Sequence, residues 1–174
     1  MIHYQIEPLE GYSPKVGELV FMLEHTREVT LEEVAGLTVE ELDALPHDRG
    51  NSIAALLYHI AAIEFVHQVI SFENRDLTLR EKSKWGTALE LGETARSRIN
   101  HKNLHYYIAL LQEVRSETLK QLKVKDDKWL SELKHWTNGI PHNNYYLWYH
   151  VMEDEINHRG QIRMVKSLQI DKKL

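Results

Sequence analysis

Apolar residues recur at intervals of three and four positions in four long segments of this chain, and this spacing predicts four long helices. The first is expected to begin at Ser13-Pro14, because serine caps helices well and proline suits the first helical position. The other three are expected to begin near Asn51, to run from about Leu104 to Leu122, and to run from about Asn143 to Leu168. Four helices of this length predict an all-α four-helix bundle.

The segments between the long helices are polar and carry few structural signals. Thr38-Val-Glu-Glu41 has the pattern of a capping box and predicts a short helix. Residues 73–102 are charged and weakly periodic, so we expect a long central connection that contains one or two short helices. This connection allows an up-down-down-up order, which the sequence alone does not determine. Residues 130–136 could form a short strand, but no hairpin is predicted, and we expect residues 1–174 to form a single helical domain.

The composition excludes several classes of function. The chain has 174 residues, a net charge of −5 and no cysteine. Disulfides, a cysteine nucleophile and thiolate metal ligands are therefore excluded. No run of lysine and arginine indicates a nucleic-acid or membrane partner. The first residues lack the basic start and apolar run of a signal peptide, and no apolar stretch is expected to reach membrane-spanning length, so a cytoplasmic location is favoured.

The fourth predicted helix carries three polar residues on its apolar stripe, at successive intervals of four: His150, Asp154 and His158. Residues four apart on a helix lie on one face, one turn above the next. An acid and a histidine in a core-facing stripe are costly to bury without a partner. A divalent metal is one partner that would satisfy both.

Helix geometry limits which of these residues can share one ion. Eight residues rise about 12 Å along a helix, whereas ligand atoms lie about 2 Å from a bound metal. His150 and His158 are therefore not expected to bind the same ion, and Asp154 would pair with one of them. A third ligand must come from another helix, and His59 is favoured because it lies in the most apolar helical segment. A buried Asp–His hydrogen bond is the competing interpretation for the pair. Three other histidines are expected to be solvated or to flank helices: His67, His105 and His142.

A second metal hypothesis comes from Glu64-Phe-Val-His67 and Glu155-Ile-Asn-His158. Both are Glu-x-x-His sequences, which di-iron bundles use together with one inward glutamate from each of the other two helices. Glu24 fits the first helix, but Glu113 and Glu117 fall off the apolar stripe of the third. The di-iron hypothesis is therefore disfavoured.

Two segments of the chain resemble the DinB/YfiT-like superfamily. Residues 150–162, HVMEDEINHRGQI, resemble its C-terminal helix, and residues 51–64, NSIAALLYHIAAIE, resemble its second helix. The resemblance implies a four-helix bundle of that type and one divalent metal, most often nickel or zinc. By position, the ligands it implies are His59, Asp154 and His158. The middle ligand is more often histidine, so Asp154 departs from the usual pattern.

The resemblance also implies an activity. Three protein ligands leave coordination positions open, as in catalytic metal sites. Members of the superfamily include S-transferases and isomerases that use bacillithiol or mycothiol. We therefore expect an enzyme that transfers a low-molecular-weight, bacillithiol-like thiol to an electrophilic small molecule. A hydrolase that uses metal-bound water and a non-catalytic stress-linked binding protein are the alternatives.

The resemblance leaves the catalytic residues unassigned and suggests the surroundings of the metal. His150 is expected to support the ligands from one turn away, and Glu155 or Arg159 to line the mouth of the site. By analogy with relatives, the protein is expected to form a homodimer.

Overall fold

The fold is a bundle of four long helices with short elements between them, as the computed structural model describes it for residues 4–47 and 50–171. In chain order the elements are α1 (Pro14–Val34), α2 (Val39–Asp43), α3 (Ile53–Gln68), α4 (Leu79–Glu90), α5 (Gly92–Arg98), α6 (Leu104–Leu122), α7 (Asp127–Ser131), β1 (Leu133–His135), β2 (Pro141–Asn143) and α8 (Asn144–Asp171). A π-helical turn, Val69–Glu73, continues α3. The predicted all-α fold is confirmed, since 71% of the structure is helical. The predicted single domain covers residues 1–174 and so includes residues outside the described ranges. The N-terminal stretch that lacks a signal-peptide pattern also begins outside them, at Met1.

The long helices begin close to the predicted positions, with some differences in how they are capped. At the start of α1, the Ser13 hydroxyl donates to Asp127 Oδ1 at 2.7 Å, and the same oxygen accepts from the backbone N–H of Val16. Asp127 of α7 thus caps α1 in place of the serine. The N-cap of α3 is Ser52, one residue later than predicted, and it accepts from the backbone N–H of Ala55 at 3.2 Å. The capping box that was predicted to open α2 is present.

The four long helices run up, down, down and up. The residue numbers of contacting pairs rise together along α1 and α8, so these two helices are parallel. Along α3 and α8 the numbers rise on one helix as they fall on the other, so these two helices are antiparallel. The pairs that show this are Arg27 with Glu155 followed by Glu33 with Arg163, and His59 with His158 followed by His67 with His150. Helix α6 is antiparallel to α1, since Arg27 donates to the Leu111 carbonyl and the later Arg115 donates to the earlier Leu23 carbonyl. The order suggested by the long connection is confirmed.

The apolar core consists of two clusters that lie at opposite ends of the bundle. One is built on the first half of α1, the end of α6 and the first half of α8: Val16, Leu19, Val20, Leu23, Leu122, Trp148 and Val151. The other joins α3, α4 and the first half of α6 to the second half of α8, and includes Leu56, Ile60, Trp85, Leu111, Ile162 and Val165. Charged residues at the middle of each long helix separate the two clusters.

The most apolar helix of the bundle is α3. Together with its π-helical turn it forms a helix of 21 residues, Ile53–Glu73, which is long and apolar enough to cross a membrane by length and composition. The expectation that no apolar stretch reaches that length is therefore wrong. Most of this helix is buried inside the bundle, as in the core helix of a folded protein.

The connections between the long helices differ from the prediction in one place. Residues 73–102 hold the expected short helices, α4 and α5, and α4 packs on α3 through the buried Trp85 and Ala88. The predicted short strand is β1, but it pairs antiparallel with β2 in a hairpin that was not predicted. The turn contains Asn138-Gly139, and Gly139 has a φ of +81°, which glycine adopts without strain. This dipeptide is a common hairpin signal.

Candidate metal centre

Three of the predicted ligands meet where α8 packs against α3. His59 comes from α3, and Asp154 and His158 come from successive turns of α8. One ligand atom from each side chain lies within 4.8 Å of the other two. Within residues 4–47 and 50–171, these three form the one group of histidine and acidic side chains close enough to share a metal ion. We call them the trio.

The carboxylate lies between the two imidazoles. Asp154 Oδ1 is 3.5 Å from His59 Nε2 and 3.4 Å from His158 Nε2. The two rings are nearly perpendicular, with centroids 4.6 Å apart. The side chains of His59, Asp154 and His158 are 8%, 14% and 12% exposed, so the trio is largely shielded from solvent but still reachable. Three converging ligand atoms with this partial exposure match a site that keeps a position open for a small molecule.

The short helix α4 orients one of the histidines. His59 Nδ1 lies 2.8 Å from the Ala88 carbonyl oxygen, which can only accept a hydrogen bond. Nδ1 therefore donates this hydrogen bond, and Nε2 faces the centre of the trio. A backbone carbonyl that fixes the ring and tautomer in this way is typical of metal-ligating histidines.

Two polar atoms of the trio are buried without a partner. Asp154 Oδ2 and His158 Nδ1 have no hydrogen-bond partner in the part of the chain that the structure describes. Buried polar atoms are normally satisfied, and each exception calls for an explanation such as an ion or an ordered water. Two histidine nitrogens and a carboxylate also form a ligand set that suits zinc and nickel. The residues present therefore fit a divalent metal, and its binding remains a prediction.

The charge state of Asp154 suits a metal ligand. Burial raises the pKa of its carboxyl group, but hydrogen bonds and charge interactions with His158 and His59 outweigh burial. The pKa of Asp154 is held well below its usual range, and the group is an ionised carboxylate at neutral pH. A carboxylate contributes the negative charge that a divalent cation requires.

A second polar cluster occupies the middle of the bundle, and we call it the core charge network. It takes one residue from each long helix: Arg27, Glu64, Arg115 and Glu155. Arg27 donates to Glu155 Oε1 through Nε and to Glu64 Oε2 through Nη2, both at 2.9 Å. Arg115 donates to Glu64 Oε1 through Nε at 2.7 Å, and its Nη2 donates to Glu64 Oε2 at 3.0 Å. The remaining nitrogens, Nη1 of both arginines, donate to backbone carbonyls of neighbouring helices.

The core charge network controls the ionisation of Glu64. Burial raises the pKa of Glu64, but the charges of Arg115 and Arg27 and the hydrogen bonds from Arg115 and Thr118 bring this pKa down to about 2. Glu64 is thus an ionised carboxylate, and the side chains of Glu64 and Glu155 both accept hydrogen bonds from arginine. These are the glutamates of the two Glu-x-x-His sequences, half of the four that a di-iron centre would need, so the structure does not support the di-iron hypothesis.

The core charge network was not predicted, although the sequence contains a signal for it. Each member follows a buried apolar residue of its own helix by four positions and so continues the core-facing stripe. The preceding apolar residues are Leu23, Ile60, Leu111 and Val151. A charge that continues an apolar stripe in each of four helices indicates a buried ion network.

The three residues that were expected to surround the trio each have a different partner in the structure. His150 lies one turn from Asp154, and its Nδ1 is 3.1 Å from Glu153 Oε2. Glu155 belongs to the core charge network, and Arg159 donates to the Thr26 carbonyl of α1 at 3.1 Å. Positions 155 and 159 are each rotated by about 100° from the ligand positions before them, so they face α1 rather than α3. Glu155 is fully buried and so does not line the mouth of the trio, and Arg159 extends towards α1.

The other histidines include one whose predicted exposure is wrong. His67 is buried on α3, two turns beyond His59, and its Nδ1 lies 2.7 Å from the Ile63 carbonyl oxygen. Burial is the main reason why the pKa of His67 is lowered. Its ring lies 5.6 Å from that of His150. The continuing stripe on α3 could have indicated this burial. His105 is exposed, as predicted, and His142 is partly buried against Trp136.

The match to a family model places the chain among the DinB/YfiT-like proteins, as residues 51–64 and 150–162 suggested. Within that superfamily, residues 18–169 match the family described as mycothiol-S-transferase, and the chain belongs to this family. The resemblance inferred from the sequence is confirmed.

One solved structure supports the fold independently. It is that of a conserved protein from Enterococcus faecalis, with 18% sequence identity and a TM-score of 0.68, and the match covers 88% of this chain and 95% of that one. At this identity the likeness shows the fold alone. A comparison with curated proteins gives no match.

Proposed function

We propose that this protein is a metal-dependent S-transferase that joins the sulfur of a low-molecular-weight thiol to an electrophilic small molecule. The observation that carries the proposal is the trio, which leaves two buried polar atoms unsatisfied among the described residues of a chain in the mycothiol-S-transferase family. A purely structural cluster would be expected to satisfy its own atoms, as the core charge network does.

The trio would hold one divalent ion, zinc or nickel, through one ligand atom each from His59, Asp154 and His158. When bound, such an ion supplies an open coordination position and lowers the pKa of a thiol there. The protein's own groups prepare the site: the Ala88 carbonyl holds the His59 ring, and ionised Asp154 supplies negative charge. The low exposure of all three side chains limits competing water.

The nucleophile must come from outside the chain, because the chain has no cysteine. In the balanced reaction the thiol loses its proton, a bond forms between sulfur and the electrophilic carbon, and the bond from that carbon to its leaving group breaks. The leaving group takes the electron pair of the broken bond, and the proton is released to solvent. No redox partner is needed.

The thiol is a small molecule of the mycothiol or bacillithiol type. The description of the family names mycothiol, and a bacillithiol-like thiol was expected from the sequence. Both have to be compared in one assay, together with glutathione. The trio does not determine the class of electrophile, because the ion it would hold acts on the sulfur of the thiol. The electrophile is therefore chosen for the assay.

The test is a rate measurement with metal-free protein reloaded with zinc or nickel. 1-Chloro-2,4-dinitrobenzene serves as the electrophile and each thiol is supplied in turn. We expect a metal-dependent rate with at least one thiol, and no such rate for His59→Ala. His150→Ala is the matched histidine control, because His150 also lies where α8 packs against α3. This variant should keep most of the activity. The absence of a metal-dependent rate with all three thiols would overturn the proposal, and metal-dependent ester hydrolysis by the same protein would favour a hydrolase.

A further inference from the structure

A cavity of about 550 Å³ lies between α1 and α8, apart from the trio. Its walls and polar groups include Phe21, Met22 and His25 from α1 and Met152, Glu153 and Ile156 from α8. We call it the α1–α8 cavity. Its volume falls in the range of small-molecule sites, which are mostly apolar with a few placed polar groups.

The α1–α8 cavity and the trio use different faces of α8. Met152 and Ile156 each lie two residues from Asp154, about 200° around the helix. Asp154 faces α3, whereas Met152 and Ile156 face α1. Among the described residues that line the cavity there is no member of the trio. A ligand in the α1–α8 cavity would therefore not contact the proposed metal.

One polar atom at the α1–α8 cavity is buried and unsatisfied. His25 Nδ1 has no hydrogen-bond partner within residues 4–47 and 50–171. Its ring is bracketed by aromatic neighbours, with the Phe21 ring stacked at 6.3 Å and the Tyr4 ring edge-on at 6.0 Å. The His25 ring, held between Phe21 and Tyr4, therefore contributes an aromatic wall to the cavity.

The cavity also has a charge preference. Glu153 is the one acidic group among the lining residues that the structure describes, and no lysine or arginine lies among them. The Tyr149 hydroxyl donates to Glu153 Oε1 at 3.4 Å and His150 Nδ1 lies 3.1 Å from Glu153 Oε2, so aromatic side chains stand on both sides of the carboxylate. A carboxylate next to aromatic rings favours a cation, because ring faces attract positive charge.

We propose that the α1–α8 cavity binds an organic amine, with its ammonium group near Glu153 and its apolar, aromatic body between α1 and α8. The apolar walls bury the body, and Glu153 and the aromatic rings hold the charge. This site is independent of the proposed transfer reaction.

Three probes of one shape test the charge preference: 1-naphthylmethylamine, 1-naphthalenemethanol and 1-naphthaleneacetate. We expect isothermal titration calorimetry to show one amine per chain, with weaker binding of the alcohol and the weakest binding of the carboxylate. Glu153→Gln should weaken binding of the amine about fivefold and that of the alcohol little. Equal binding of the three probes, or no saturable binding, would overturn the proposal.

Methionine methyl signals locate the probe. In protein labelled at the methionine methyl groups, the amine should shift the signals of Met22 and Met152, which line the cavity. Met164 lies on the same helix outside the cavity and is 49% exposed, so its signal should not move. Shifts confined to Met164 would contradict the assignment.

A pair of matched substitutions tests the site itself. Ile156 is 47% exposed on α8, so Ile156→Trp should fill the cavity without disturbing the fold. Met164→Trp is the matched control at similar exposure, 49%, and should leave binding unchanged. His158→Ala should also bind the amine normally, which separates this proposal from that of the metal site. Amine binding that survives Ile156→Trp would overturn the inference, and so would a dimer in sedimentation experiments that Ile156→Trp dissociates, because a second copy would then cover the face.

Discussion

The core charge network and the trio are both polar clusters between packed helices, yet they differ in how completely they satisfy themselves. In the network every guanidinium nitrogen donates to a carboxylate or a backbone carbonyl. In the trio Asp154 Oδ2 and His158 Nδ1 are buried without a partner among the described residues. A closed cluster of this kind holds helices in register, and an open one is prepared for something that binds.

The residue types explain the difference. Arginine stays protonated and offers a planar fork of donors that matches a carboxylate, so it saturates an acid and cannot ligate a metal. Neutral histidine keeps one nitrogen lone pair, which a metal can use. The neighbouring residues Asp154 and Glu155 therefore have separate roles, because one turns towards histidines and the other towards arginines.

Breaking the closed cluster should have the largest effect on stability. Arg115→Met leaves Glu64 with one fewer cation in the core, and we expect the free energy of unfolding to fall by about 3–5 kcal/mol. Urea unfolding followed by circular dichroism measures this loss. A loss below about 1 kcal/mol would show that the network is not a stabilising unit.

The matched control is the double variant Glu64→Leu/Arg115→Met. It removes one acid and one base together and leaves the Arg27–Glu155 pair intact. A neutral apolar replacement of an ion pair is often tolerated, so the double variant should be more stable than Arg115→Met alone. A double variant as unstable as the sum of the singles would contradict the coupling.

Acid should weaken the network next. The pKa of Glu64 is lowered to about 2, so its folded carboxylate stabilises the protein fully above its ordinary pKa, near 4.5, and loses this contribution as the pH falls towards 2. The shift corresponds to about 3 kcal/mol. Urea unfolding at several pH values should show wild-type stability falling across this window. Glu64→Gln, which cannot titrate, should show a shallower fall, and identical slopes would contradict this role.

At the trio, we expect the stability of the protein to depend on bound metal more than on the loss of one side chain. In metal-free protein, Asp154→Ala removes a partly satisfied carboxylate, and we expect a change within about 1 kcal/mol. A divalent ion at one hundred times its Kd should stabilise the wild type by about 2.7 kcal/mol and Asp154→Ala very little. Thermal unfolding with and without chelator measures both. Asp154→His should keep a site with more preference for nitrogen-liking ions.

Much of the fold could be predicted because its signals are local. The bounds of α6, Leu104–Leu122, and the capping box of α2 follow from spacing and from residues within one turn. The hairpin has an equally local signal in Asn138-Gly139. The core charge network joins residues up to 128 positions apart, and pairing at that distance depends on the helix order, which the sequence left open.

The trio could be predicted from the sequence only in part. The spacing of Asp154 and His158 indicates a shared helix face, but the third ligand must come from a different helix. His59 is predicted from its apolar surroundings and from the family resemblance. The hydrogen bond from His59 to Ala88 could not be predicted, because α4 lies in the weakly periodic connection. The identity of the ion stays open for a related reason, since a set of two histidines and one aspartate suits several divalent metals.

The most direct test of the open and closed clusters is a zinc and nickel titration of metal-free protein by calorimetry, with His158→Ala and His150→Ala measured beside the wild type. We predict one ion per chain for the wild type and for His150→Ala, and no stoichiometric binding for His158→Ala, because two remaining ligands hold a divalent ion weakly. One ion per chain in His158→Ala, or none in the wild type, would contradict the assignment of the trio as a metal site.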